Sequence, residues 1–133
     1  MKTVYQLHCE AWPDMEAPRD TKVLLDLFEE AEDVLSKNPD STMMVHCSAG
    51  VGRTGTFIGL FKLAKDFNDD TVGVKGKVIS YNFSLSQVTE LDPFETVLTM
   101  RRQRMKMVQK PMQYNYMFRC LADYVAETST EYI

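Results

Sequence analysis

Apolar and polar positions follow two different periods along this chain, and the changes of period mark its elements. From Thr3 to Cys9 the residues, Val4 and Tyr5 among them, favour an extended backbone, so we expect a short strand. Trp12-Pro13-Asp14 interrupts it, and Pro18 prolongs the break into a loop. Asp20 is a good N-cap for a helix running to about Lys37, with a stripe of Leu24, Leu25, Leu27, Phe28, Ala31, Val34 and Leu35 at three-to-four spacing. Asn38-Pro39-Asp40 stops that helix, and the short apolar run from Thr42 to His46 reads as a buried strand.

The second half is more helical. Phe57, Ile58, Leu60, Phe61, Leu63 and Ala64 predict a helix from Arg53 to about Phe67. Between Asn68 and Glu90, Ile79, Tyr81, Phe83 and Leu85 alternate with Ser80, Asn82, Ser84 and Ser86, the period of a strand or an extended surface segment. Asp92-Pro93-Phe94-Glu95 combines an acidic cap, Pro at the first position and Glu at the third, and opens a helix to about Met105. Pro111 opens the last helix, whose face carries Tyr114, Met117, Phe118, Leu121 and Val125. Strands mixed with helices make the expected class α/β.

Size and charge narrow the function. At 133 residues the chain has the length of one domain, and 44% hydrophobic with 26% charged residues is ordinary for a globular protein. A net charge of −4 argues against a nucleic-acid-binding domain. No apolar run is long enough for a membrane segment, and the first ten residues lack the apolar core of a signal peptide. Cys9, Cys47 and Cys120 are odd in number, widely spaced and without a C-x-x-C pair. We therefore expect no disulfide framework and no metal site, but free thiols in a reducing, cytoplasmic compartment. Asn82-Phe83-Ser84 matches a glycosylation sequon, which counts for little with nothing to place it outside a cell.

The chemistry concentrates in Val45-His46-Cys47-Ser48-Ala49-Gly50-Val51-Gly52-Arg53-Thr54-Gly55. A strand feeding a glycine-containing turn and then a helix suits a loop that binds a phosphate. The residues between Cys47 and Arg53 can turn successive N–H groups inward to make an anion cradle, with Gly50 and Gly52 permitting the tight backbone. A lone cysteine is by default a buried structural one. Here the N–H dipoles, the helix terminus and the Arg53 charge would all favour a thiolate, which makes Cys47 a candidate nucleophile. The same groups would hold a phosphate dianion, with Arg53 forking onto two oxygens. No cofactor or metal is required.

The run from His46 to Gly55 resembles the active-site signature of the cysteine-dependent protein tyrosine phosphatases, tyrosine-specific branch. Trp12-Pro13-Asp14 is similar to the loop carrying that family's general acid, which implies that Asp14 protonates the leaving phenol. The family usually has a glycine two residues after this Asp, where this chain has Glu16, whose bulk and charge would restrict loop closure. Arg101 to Tyr114 resembles the family's glutamine-bearing loop, implying that Gln109 positions the hydrolytic water and that Gln113 assists. The basic residues in that run read as a solvated helix face. The resemblance also makes Ser48, Ala49, Gly50, Val51 and Gly52 part of the substrate cradle with Cys47 and Arg53. It gives Thr54 the task of easing departure of the sulfur. His46 would shape the loop through buried hydrogen bonds, Ser48 would tie the loop down, and Cys120 would belong to the core.

The resemblance covers nearly the whole chain but only the C-terminal half of the family's catalytic domain. It implies a central mixed sheet flanked by helices, incomplete here, and phosphotyrosine-containing proteins or peptides as partners. No Lys-Asn-Arg-Tyr stretch, which in the family supplies a tyrosine that stacks on the substrate ring, occurs in the chain. Both a fragment and a naturally short form would fit. A fragment would pair with the N-terminal half of its own domain, and the whole could be the intracellular part of a receptor-type protein. Two rival functions remain: a dual-specificity phosphatase and a non-catalytic phosphotyrosine-binding module.

Overall fold

The computed structural model describes residues 1–68 and 91–130, and over these the chain is four helices. Helix α1 spans Lys22–Lys37, α2 Gly52–Asn68, α3 Pro93–Gln103 and α4 Pro111–Thr130. Their starts follow local chemistry. Asp20 accepts the Lys22 N–H at 2.8 Å, so it caps α1 from one residue before the Thr21 cap position. Asp92 accepts the Glu95 N–H at 2.9 Å with Pro93 just inside α3, the arrangement its sequence predicts. Asn38 ends α1, and α3 stops at Gln103, two residues short of the predicted end.

The α/β expectation fails. Neither Thr3 to Cys9 nor Thr42 to His46 is a strand, and there is no sheet among the described residues. A strand is held by a ladder to a neighbour, and no backbone hydrogen bond among the described residues joins these two segments. Without a ladder, Val4 and Tyr5 stay 85% and 60% exposed. The second segment keeps only the alternation of a strand, with Met43 and Val45 packed against the core and Met44 outside. The alternating run at Ile79 to Ser86 lies outside the described residues.

Helix α2 is the axis of the molecule. It packs against all three other helices, most extensively α4, and it buries residues around most of its circumference rather than along one stripe. Leu60, Leu63 and Ala64 meet a core that includes Leu24 of α1, Met100 of α3 and Met117, Cys120 and Leu121 of α4. Phe28 meets Phe61 and Tyr124 edge-on, each at a centroid distance of 5.3 Å, and so links α1 to α2 and α4. On α4 the buried aromatic is Tyr116 rather than the predicted Phe118, and its hydroxyl donates to the Asp20 carbonyl at 2.8 Å.

Two glycines let α2 approach its neighbours closely, in different ways. A Cβ on Gly55 would stand 2.4 Å from the backbone nitrogen of Val108, which cannot move without shifting its loop. A Cβ on Gly59 would meet the Sδ of Met117 at 2.7 Å, the far part of a flexible side chain. Alanine in a helix interior otherwise gains about 0.5–1 kcal/mol over glycine. Gly55→Ala is therefore expected to destabilise the fold by about 1–3 kcal/mol, the usual range for overpacking. Gly59→Ala should cost less than half as much, as read from urea unfolding midpoints.

Candidate active site

The loop between Val45 and the start of α2 closes around the sulfur of Cys47. The Gly50 N–H points at Sγ from 3.2 Å, and the Thr54 hydroxyl donates to it at 3.0 Å. Gly50 takes φ +72°, a conformation that side-chain-bearing residues resist. Gly52 has another use than the one predicted. Its φ is not positive, but a Cβ there would lie 3.0 Å from both ends of the Gln113 amide and 3.3 Å from Gln109 Oε1. The glycine makes room for the two glutamines behind the cradle.

Two opposed influences set the charge state of Cys47. Burial is the larger single influence and pushes the thiol up. The Thr54 hydroxyl and the backbone N–H groups of Thr54, Gly50 and Val51 together outweigh it, leaving the thiol below its ordinary value. Cys120 is the contrast within the same chain. It is fully buried in the core, as predicted, and burial pushes it up to about 12.

Arg53 faces the acid loop rather than the sulfur. Its guanidinium donates to the Trp12 carbonyl at 3.0 Å and to Ser48 Oγ at 2.9 Å, and it pairs with the Asp14 carboxylate at 3.3 Å. Ser48 in turn donates to the other Asp14 oxygen at 3.1 Å. The Nε of Arg53 is buried with no acceptor among the described residues. Asp14, 34 residues from Ser48 in sequence, is thus held against the cradle.

The acid loop is anchored on its other side too. Trp12 is buried against Tyr116, and its indole N–H donates to the Glu16 carbonyl at 2.7 Å. The same carbonyl accepts from the fully buried Gln113 amide at 3.3 Å, while Gln113 Oε1 accepts the Lys110 N–H at 3.1 Å. Gln113 therefore joins the acid loop to the start of α4. Met15 adopts φ +60° to make the turn. Glu16 takes part through its backbone carbonyl.

Several contributors were not recognised in the sequence. Arg101 donates to the carbonyls of Met107 at 2.8 Å and Val108 at 2.7 Å, and Arg104 donates to the Ala49 carbonyl at 3.1 Å. Two members of the supposedly solvated basic run thus brace the cradle and the glutamine-bearing segment. Val108 donates its N–H to the Val51 carbonyl at 2.9 Å, fastening that segment to the cradle and leaving Gln109 half-buried beside it. His46 is exposed rather than buried. No cluster of three or more His, Cys, Asp or Glu able to hold a metal occurs among the described residues.

The chain's sequence matches those of known proteins. The family profile described as "Protein-tyrosine phosphatase" matches residues 1–123. The chain belongs to that family. It is 35% identical over 125 residues to the receptor-type tyrosine-protein phosphatase eta of Gallus gallus, covering 92% of this chain and 8% of that protein. The receptor-type tyrosine-protein phosphatase epsilon of Homo sapiens is 30% identical over 125 residues, covering 94% of this chain and 15% of that protein. The receptor-type tyrosine-protein phosphatase V of Rattus norvegicus is 32% identical over 127 residues, covering 95% of this chain and 6% of that protein. The chain thus spans 6% to 15% of the length of these relatives. No helix among the described residues is long and apolar enough to cross a membrane.

The hydrogen bonds to Cys47 generate a direct test. Iodoacetamide labelling of the Cys47 peptide should persist to lower pH than that of an ordinary thiol, whose pKa is about 8.5. Thr54→Val keeps the volume but removes the side-chain donor that lowers the thiol, and it should move the labelling midpoint up towards that of an ordinary thiol. Mass mapping separates this signal from the buried Cys120.

Proposed function

We propose that this chain carries the phosphate-transfer machinery of a protein tyrosine phosphatase and hydrolyses phosphotyrosine through a phosphocysteine. The observation that carries this reading is the pairing of two features at one loop. Cys47 has its thiol lowered by the donors of the cradle, and a carboxylic acid from a distant loop is held over the same cradle.

In the first step the Cys47 thiolate forms a bond to phosphorus as the bond from phosphorus to the phenolic oxygen breaks. The electron pair passes to that oxygen, which takes a proton from Asp14. The N–H groups from Ser48 to Gly52 and the Arg53 guanidinium stabilise the phosphoryl oxygens through this transfer. A buried N–H without an acceptor costs about 1–3 kcal/mol, so a phosphoryl oxygen reaching Arg53 Nε would bind correspondingly better. In the second step water, positioned by Gln109 with Gln113 assisting, attacks phosphorus while Asp14 removes its proton. The electrons of the sulfur–phosphorus bond return to Cys47, whose negative charge the Thr54 hydroxyl receives.

Phosphotyrosine-bearing proteins or peptides are the proposed substrates, and the reducing cytoplasm is the proposed compartment. Support for the latter comes from the free state of Cys9, Cys47 and Cys120. Tyrosine selectivity rests on the match to tyrosine-protein phosphatases, because the cradle recognises the phosphoryl group whichever side chain bears it. The remainder of the catalytic domain is the proposed partner for ring selection.

Turnover of p-nitrophenyl phosphate and of phosphotyrosine peptides tests this reading. Cys47→Ser should abolish hydrolysis, and Asp14→Ala should lower kcat on phosphotyrosine by about 10²–10⁴-fold, the usual contribution of a general acid. Hydrolysis that survives Cys47→Ser would refute the mechanism. Equal rates on phosphothreonine peptides would favour a dual-specificity enzyme, and binding without phosphate release would favour a recognition module.

A further inference from the structure

The hydroxyl of Ser48 has two partners of opposite charge. It accepts from Arg53 at 2.9 Å and donates to Asp14 at 3.1 Å, so its single proton and a lone pair are both used. The serine belongs to the cradle, while the aspartate belongs to a loop that is 60% exposed at this side chain. An exposed carboxylate on a loop samples several rotamers unless something fixes it. Three contacts address Asp14: the Met15 N–H at 3.0 Å, Arg53 at 3.3 Å and Ser48. The Met15 contact lies within the acid loop and cannot hold that loop to the cradle. The Arg53 contact is in competition, because the same guanidinium is the group that forks onto a bound phosphoryl group. Ser48 remains as the neutral tether from the cradle to Asp14.

We infer that Ser48 is a positioning residue for the acid, its side-chain hydroxyl holding the Asp14 carboxyl over the cradle when Arg53 turns to phosphate. The inference rests on the phosphatase reading above and adds a task to a residue whose backbone N–H lines the cradle. Ser48 takes and gives up no proton in the reaction. It limits the directions from which Asp14 can reach the leaving oxygen, and misplacement by about 1 Å is enough to slow a transfer of this kind by about 100-fold.

The test compares two leaving groups. Phenolate is a poor leaving group and needs the acid's proton, whereas p-nitrophenolate departs with less help. Ser48→Ala should lower kcat on phenyl phosphate at least fivefold more than on p-nitrophenyl phosphate. Ser48→Thr, which keeps the hydroxyl, should restore the wild-type ratio of the two. In an Asp14→Asn background the Ser48→Ala change should leave that ratio where Asp14→Asn alone puts it. Equal losses on the two substrates, or a further change of ratio without Asp14, would overturn the positioning role while leaving the phosphatase reading intact. Absence of any Cys47-dependent turnover in the unmutated chain would overturn both.

Discussion

The structure depends on bringing hydrogen-bond donors onto the Cys47 sulfur at the start of a helix. Burial alone would push the Cys47 thiol up, and the direction of its shift is reversed because donors converge on Sγ from the loop and from the first turn of α2. That convergence requires α2 to start where it does, so much of the packing can be understood as fixing the position of its N-terminus. Gly52 admits the two glutamines behind the cradle, Gly55 admits the Val108 backbone, and the core along Leu60, Leu63 and Ala64 prevents α2 from sliding. Cys120, in the same fold, has only the Tyr116 hydroxyl as a donor to oppose its burial, and burial pushes it up to about 12.

Holding the second and third parts of the site against the first strains the backbone. Met15, Lys106 and Val108 all have positive φ, and for the β-branched Val108 this is a conformation rarely tolerated. Each such residue costs about 1–3 kcal/mol and persists only where surrounding contacts over-determine it. Those contacts are present. Arg101 grips the carbonyls of Met107 and Val108, and the Val108 N–H bonds to Val51 of the cradle. On the acid side, Trp12 and Gln113 converge on the carbonyl of Glu16, just after Met15. Strain and tethers therefore occur together on the two loops that carry Asp14 and Gln109.

The legible parts of this structure were those governed by near neighbours in sequence. Asp20, Asp92, Pro93 and Pro111 announced helix starts because capping is a local hydrogen-bonding problem. The spacing of Cys47, Gly50, Arg53 and Thr54 revealed the cradle for the same reason, since one turn and one helix start contain it. The strands at Thr3 to Cys9 and Thr42 to His46 were misjudged because extended-favouring residues and a short apolar run report local preference, while a strand also needs a partner whose existence no local pattern reveals. Arg101 and Arg104 looked like a solvated face because their acceptors, carbonyls at Met107, Val108 and Ala49, carry no side-chain signature. Gly52 was credited with backbone freedom when its value is space for residues about sixty positions away.

The central claim is that the sulfur of Cys47 carries the phosphoryl group between two steps, and trapping that species tests it most directly. The chain would be mixed with a radiolabelled aryl phosphate, quenched in acid within the first turnovers, and its peptides mapped for bound phosphate. The account predicts phosphate linked to the Cys47 peptide, accumulating further when Gln109→Ala slows attack by water. Turnover with phosphate on another residue, or on none at any time during the approach to steady state, would contradict it.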